Sequence, residues 1–293
     1  MPPSTRAISL LLATFANVKD EQKTEIAGQS AAPAQDTLSG KRCIVAILAD
    51  PKKMSGSAPP RPAEAALAAA IEQAGCTRVA HLTSDEATEP ANLAACDVLF
   101  LCGQSLSLRS GDAKEVWTSN VTATRNACEA AERAGVKRIV LLGSILSLGH
   151  SPDGSPVDAA TPYLSDDKRT LLERSLLRQE MEVWQMAERG LEVSVVCGGI
   201  VWGSCEWVRH IDPVKNTRLL TTPAAMAEAL VRAASDAMVG KRLICTGLAE
   251  DLVQSMVWQK PSVAERLFGQ TARAMKILGR LGIYASDFAP AEK

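Results

Sequence analysis

Cys96–Gly103 (CDVLFLCG), Ala130–Ser144 (AAERAGVKRIVLLGS) and Gly190–Gly203 (GLEVSVVCGGIVWG) decide the fold of this chain. Each carries a short, unbroken apolar run: Asp97–Cys102, Arg138–Gly143 and Glu192–Cys197. Runs of this length without polar alternation read as strands covered on both faces, as in a parallel sheet. Working outward, Cys43–Ala49 (CIVAILA) is a fourth such run and Arg78–Leu82 (RVAHL) a weaker fifth. Leu243–Thr246 (LICT) reads as a late strand, and Ala7–Phe15 as a strand or a short helix.

Helical patterns fill the intervals. Pro62–Gly75 is alanine-rich, with proline at its start and glycine at its end, the residues that suit a first turn and a left-handed stop. Ala113–Gly135 is long and stops at a glycine. Ser165–Gly190 opens with serine and two acids, which suits capping and the helix dipole. Pro223–Val239 and Pro261–Leu281 follow. Strands alternating with helices of this length imply βαβ units and an α/β fold with a mostly parallel sheet. Gln29–Gly40 and Asp50–Arg61 are rich in small, polar or proline residues and read as loops.

Composition narrows the function. The 293 residues suffice for one large core. A net charge of −1 gives no global field that would favour nucleic acid or an anionic membrane. No apolar run reaches the roughly 18 residues that span a bilayer. At the N-terminus, Arg6 alone precedes the apolar stretch, and Asp20 and Glu21 follow it; this is a poor match to a secretory signal or a mitochondrial presequence. The eight cysteines form no C-x-x-C pair, so they read as reduced core thiols in a cytoplasmic protein, with no metal site.

The stretch Cys96–Gly203 resembles the extended short-chain dehydrogenases, the NAD(P)-dependent epimerases, dehydratases and reductases. Asn120-Val121-Thr122-Ala123-Thr124-Arg125-Asn126 is similar to the family's N-V-x-G-T-x-N, and Ala130–Ser144 to its A-A-x-x-A-G-V-K-R-x-V-x-x-S-S. The resemblance implies a Rossmann-like, doubly wound, mostly parallel sheet with helices on both faces. It puts Ser144 at the position of the catalytic serine or threonine, Asn120 at a second family position, and Gly103 at a strand end beside the cofactor. TTPAAMAEAL (Thr221–Leu230) looks like the helix that follows the substrate region, which leaves that region short. Residues 1–260 are expected to form the Rossmann-like domain and 261–293 a C-terminal helix and tail. A narrower likeness joins IVAILADPKK…PPRPAEAA, CDVLFLCG and SVVCGGIVWG to the degenerate N-terminal domain of the axonemal adenylate kinases. It implies that Arg6–Phe15 is strand one and Cys43–Ala49 strand two.

The residues needed for the family's chemistry are mostly missing. A glycine turn after strand one lets backbone N–H groups and a helix N-terminus reach the pyrophosphate. No glycine follows Ala7–Phe15 until Gly28, and the alternative loop after Cys43–Ala49 offers only Gly56 among prolines that lack an N–H. Asp50 stands where an acid after strand two would take the ribose hydroxyls, although an acid before proline is also an ordinary turn starter. The Y-x-x-x-K pair, in which lysine lowers the tyrosine pKa, aligns with Leu172 and Leu176. Tyr163 and Lys168 are five apart, not the one-turn spacing that puts both on one face. His81, His150 and His210 show no triad pattern. Gly198-Gly199 and Gly203 are spaced wrongly for a phosphate loop.

Two functions remain open. The first is a non-catalytic Rossmann scaffold with no cofactor. It would bind protein partners, with tubulin or axonemal proteins and a ciliary or flagellar cytoskeletal location implied by the adenylate-kinase likeness. The five tryptophans, 117, 184, 202, 207 and 258, would suit interface anchoring where they lie outside the core. The second is a divergent NAD(P)-dependent epimerase or reductase, supported by Ser144, Asp50 and Asn120. Arg266, Arg273, Lys276 and Arg280 alternate with apolar residues along 261–281, so the C-terminal helix is expected to bury one stripe, with its basic face either solvated or docked on an acidic partner such as a microtubule surface.

Overall fold

Six strands hydrogen-bond into one parallel sheet in the order β2-β1-β3-β4-β5-β8. They are β1 (Arg42–Ile47), β2 (Arg78–Thr83), β3 (Val98–Cys102), β4 (Arg138–Ser144), β5 (Glu192–Gly198) and β8 (Arg242–Cys245); β6 (Ile200–Val201) and β7 (Leu220–Thr221) form a separate small pair. The structure is a computed structural model that describes residues 37–49, 62–151, 153–163, 168–202, 204, 206–256 and 258–288. The expectations for Ala7–Phe15, Asp50, the loop Asp50–Arg61 and Cys205 lie outside the described residues.

The unbroken apolar runs are explained by cover on both faces: every residue of β3 and β4 is buried. On one face, Leu99, Leu101, Ile139, Leu141, Val193 and Val195 pack under α3 (Ala123–Ala134) and α4 (Leu171–Glu188). On the other, Val45, Phe100, Val140 and Val196 pack under α1 (Pro62–Gln73) and α5 (Pro223–Ala233). Burying each large aliphatic or aromatic side chain contributes about 1.5–3 kcal/mol, so these two layers dominate the stability of the domain.

Where β1 sits overturns one expectation. It pairs with β2 on one side and directly with β3 on the other, so no slot remains between β1 and β3 for an earlier strand. The Cys43 run is therefore the first strand of the doubly wound sheet, not the second, and Asp50 follows the first strand.

Helix boundaries also shift. The expected helix 113–135 comprises α2 (Ala113–Trp117), a π-helical turn (Thr118–Thr122) and α3, and Gly135 ends it at φ 75°. The helix expected from Ser165 begins at Leu171, where Thr170 and Glu173 form a reciprocal capping box. Pro223–Val239 shortens to α5 followed by a 3-10 turn, Asp236–Met238. A short α6 (Glu250–Ser255) follows β8.

The expected single helix over 261–281 is two, α7 (Val263–Leu267) and α8 (Gly269–Leu278). Phe268 is extended, and Gly269 sits at φ 79°, a conformation that breaks a helix and favours glycine. The basic face is not simply solvated. Arg280 Nη2 lies 2.8 Å from a Glu173 carboxylate oxygen, with side chains 25% and 5% exposed, and Arg273 donates to the Leu108 carbonyl. The chain then seals the outer edge of β8: Asp287 N–H donates to the Ile244 carbonyl, and its carboxylate accepts from Ile244 N–H at 2.7 Å. Covering an edge strand in this way removes a template for unwanted pairing.

Seven cysteines are free thiols among the described residues, and all but Cys76 are buried. Burial pushes the Cys96 thiol up to about 12 and that of Cys245 to about 11, so both stay protonated. Trp184 and Trp207 are core residues and Trp117 is exposed; Trp202 and Trp258 are half-buried.

Candidate functional site

In a doubly wound sheet a ligand crevice opens outside the C-terminal strand ends, where successive crossovers leave in opposite directions. Here that point lies between β1 and β3. Leu48 N–H donates to the Cys102 carbonyl and Ala49 N–H to the Gly103 carbonyl, both at 2.9 Å, which extends the pairing to the rim. Gly103 has φ 68°; without a Cβ it allows a ligand close to its backbone.

Ser144 ends β4 and caps the 3-10 turn Ile145–Ser147, its Oγ accepting from Leu146 N–H at 3.3 Å. Asn120, in the π-helical turn, is fully buried. Its Oδ1 accepts from Ser105 N–H at 2.7 Å; its Nδ2 donates to the Ser105 carbonyl at 3.0 Å and to Ser175 Oγ at 2.9 Å. That side chain fastens the loop after β3 to α4. With both donors and its acceptor engaged inside the protein, it is a structural clamp here.

Residues 172, 176, 180 and 184 share one stripe of α4, each one turn from the next. Leu172 and Leu176 are each 2% exposed. They pack with Leu108, Val116, Leu146, Trp207 and Ile277 in a single apolar cluster. The two positions expected to stand in place of the family's tyrosine and lysine are thus packed in hydrocarbon.

The next turn of the stripe holds what the sequence reading missed. Glu180 is fully buried. Ser147 Oγ lies 2.8 Å from its Oε2, while Trp184 Nε1 donates to its Oε1 at 3.2 Å. Arg242 Nη1 stands 3.6 Å from Oε1 and also donates to the Ala159 and Thr161 carbonyls. Tyr163 lies over the Arg242 guanidinium at 5.0 Å, and its hydroxyl is buried without a hydrogen-bond partner. Burial, and then the Glu180 carboxylate, hold the Tyr163 hydroxyl well above its ordinary pKa. This tyrosine is therefore no ready proton donor, and Lys168 is exposed. An acid on the same four-residue spacing as Leu172 and Leu176 was the available signal for a buried ion pair.

Gly198 and Gly199 answer to packing. A Cβ on Gly198 would stand 2.3 Å from Met226 Cε, and one on Gly199 would stand 2.8 Å from the Leu219 carbonyl oxygen. His210 is buried at a core edge, its Nδ1 3.0 Å from the Gln259 carbonyl. Among the described residues no His, Cys, Asp and Glu group could hold a metal ion, and no helix is long and apolar enough to cross a membrane.

Residues 58–200 match the model of the NAD dependent epimerase/dehydratase family. The chain is 33% identical over 106 residues to sterol demethylase protein B of Methylococcus capsulatus. It is 29% identical over 103 residues to a putative dihydroflavonol 4-reductase of Synechocystis. These alignments take in 33% and 34% of this chain and only 30% and 29% of the relatives. Three solved structures share the fold. Gox2253 has a TM-score of 0.61 at 19% identity, covering 85% of this chain and 91% of that one. A nucleoside-diphosphate-sugar epimerase of Pseudomonas aeruginosa has a TM-score of 0.55 at 17% identity, covering 86% and 93%. MoeE5, solved with UDP-glucuronic acid and NAD, has a TM-score of 0.56 at 15% identity, covering 82% and 93%. The matched segment is thus similar to the NAD dependent epimerase/dehydratase family, the solved structures share its Rossmann-like fold, and none of these matches is to an adenylate kinase.

Proposed function

We propose, from the premise of an epimerase/dehydratase-type Rossmann unit, that this chain is a divergent NAD(P)-binding protein of the epimerase and reductase class. The dinucleotide would lie across the C-terminal ends of β1, β3 and β4. The observation that carries the reading is the β1/β3 switch point, with Gly103 in a left-handed conformation at its rim. Gly103 and Ser144 would line the site, and Asp50 lies next along the chain beyond the described end of β1. When bound, the nicotinamide would supply a hydride donor or acceptor. The residues at the family's proton-transfer position do not fit that chemistry, because Leu172 and Leu176 carry no proton and are packed over.

That packing favours a second reading, a catalytically silent scaffold that binds protein partners. An axonemal or tubulin partner rests on the adenylate-kinase likeness alone and is not part of the proposal. One titration separates the readings. Ligand at 100 times its Kd stabilises a protein by about 2.7 kcal/mol, roughly 5–10 °C in Tm for a domain of this size. A rise of that order with NADH or NADPH, together with enhanced nicotinamide fluorescence, is expected. An unchanged Tm with both dinucleotides at millimolar concentration overturns the cofactor reading and leaves the scaffold.

A further inference from the structure

Away from the dinucleotide crevice, a cavity of about 460 Å³ opens between the loop after β3, the 3-10 turn Glu206–His210, and the α7–α8 break. A volume of this size accommodates a small organic ligand. Trp207 forms one wall, and its indole N–H donates to the Leu106 carbonyl at 3.0 Å. The same tryptophan packs in the cluster that contains Leu172 and Leu176, so it stands between the cavity and the filled proton-transfer position.

The opposite walls are tied together. Gln270 Oε1 accepts from Leu108 N–H at 3.0 Å, and Arg273 donates to the Leu108 carbonyl. The cavity is thus braced by two elements far apart in sequence and is not a gap between loose loops. Its charge is biased. Arg109 and Arg273 both line it, and Arg273 has no carboxylate partner among the described residues. Glu265 is the acid on the wall, but its Oε2 already accepts from Ser262 N–H at 2.8 Å and from Ser262 Oγ at 2.7 Å. Those bonds hold its carboxyl below the usual range, and its other oxygen faces His210 Nε2 at 3.4 Å. Glu265 is therefore anionic, and it sets one negative charge against the two arginines, which leaves the lining with a net positive bias. Phe268, 73% exposed, also lines the cavity, opposite in character to the arginines. A side chain of that size left in water is an apolar surface awaiting cover.

We propose that this cavity binds a small organic anion: a phosphate or carboxylate group held by Arg273, and a planar apolar body against Phe268 and Trp207. The site does not depend on the cofactor reading, since no residue in it belongs to the β1/β3/β4 crevice.

Phenyl phosphate is the probe, with inorganic phosphate and phenol as its two halves, titrated into the full chain by calorimetry. Phenyl phosphate should bind more tightly than either half. Arg273→Gln removes a charge-assisted contact and should weaken it by about tenfold or more. Phe268→Ala, at an exposed position, should weaken phenyl phosphate but leave inorganic phosphate unchanged, and it keeps the test valid if Arg273→Gln disturbs folding. NADH titrated into the same variants should bind as in the wild type. Phenyl phosphate failing to bind at about 10 mM, a free energy of roughly −2.7 kcal/mol, overturns the proposal. So does equal affinity in wild type, Arg273→Gln and Phe268→Ala.

Discussion

Leu176→Lys puts an ammonium group into the packing between α4, Trp207 and Ile277. The native leucine is 2% exposed, so a lysine there must either stay neutral or tear the cluster open. Keeping it neutral at pH 7, against a reference pKa of about 10.4, costs roughly 4.6 kcal/mol at about 1.36 kcal/mol per pH unit. Pairing it with Leu172→Tyr, to rebuild the family's acid–cation pair, adds about 1–3 kcal/mol of overpacking. The sum approaches the whole stability of many domains. A lysine with a depressed folded pKa is protonated in the unfolded chain and neutral in the native one. Native stability must therefore rise with pH until the unfolded pKa is reached. From pH 7 to pH 9 the Leu176→Lys single variant should recover up to about 2.7 kcal/mol relative to wild type. Urea denaturation at the two pH values reads this directly, and NADH oxidation by the double variant should stay at background. A double variant within about 1 kcal/mol of wild type, with no pH dependence, would mean that the lysine reaches water and that the proton-transfer position is open.

Three other perturbations test the rest of the structure. Glu180→Gln strips the carboxylate from buried Arg242 and should cost about 2–4 kcal/mol; a double-mutant cycle with Arg242→Met that gives no coupling would show the pair to be incidental. Arg280→Glu sets two acids where Arg280 now meets Glu173 and should lose about 1–3 kcal/mol, while Lys276→Glu on the exposed side should change the midpoint by under about 0.5 kcal/mol; equal effects would refute the distinction. Gly199→Ala drives a Cβ toward the Leu219 backbone, whereas Gly198→Ala meets the flexible end of Met226, so the first should destabilise by about 1–3 kcal/mol and more than the second, as thermal melts of the two would show.

The sequence by itself determined the sheet. Apolar runs of four to seven residues without alternation are satisfied by cover on both faces, so the runs beginning near Cys43, Asp97, Arg138, Glu192 and Leu243 became strands within a residue or two, while the weaker run at Arg78 became the partly exposed edge strand β2. It also showed that Leu172 and Leu176 cannot transfer protons, because that is a property of the side chain and not of its surroundings. Tertiary structure decided everything that depends on which strand lies beside which. Direct pairing of β1 with β3 moved Asp50 from the second strand's end to the first, a fact of topology that local pattern does not encode. The expected single C-terminal helix is broken at Gly269, which is held in a left-handed conformation after an extended Phe268. Glu180 looked like any helix-surface acid until α4 was laid on the sheet with that stripe facing inward, and its partner Arg242 comes from a strand sixty-two positions along the chain. Burial and long-range charge pairing are set by the packing of distant segments, and only the folded chain brings those segments together.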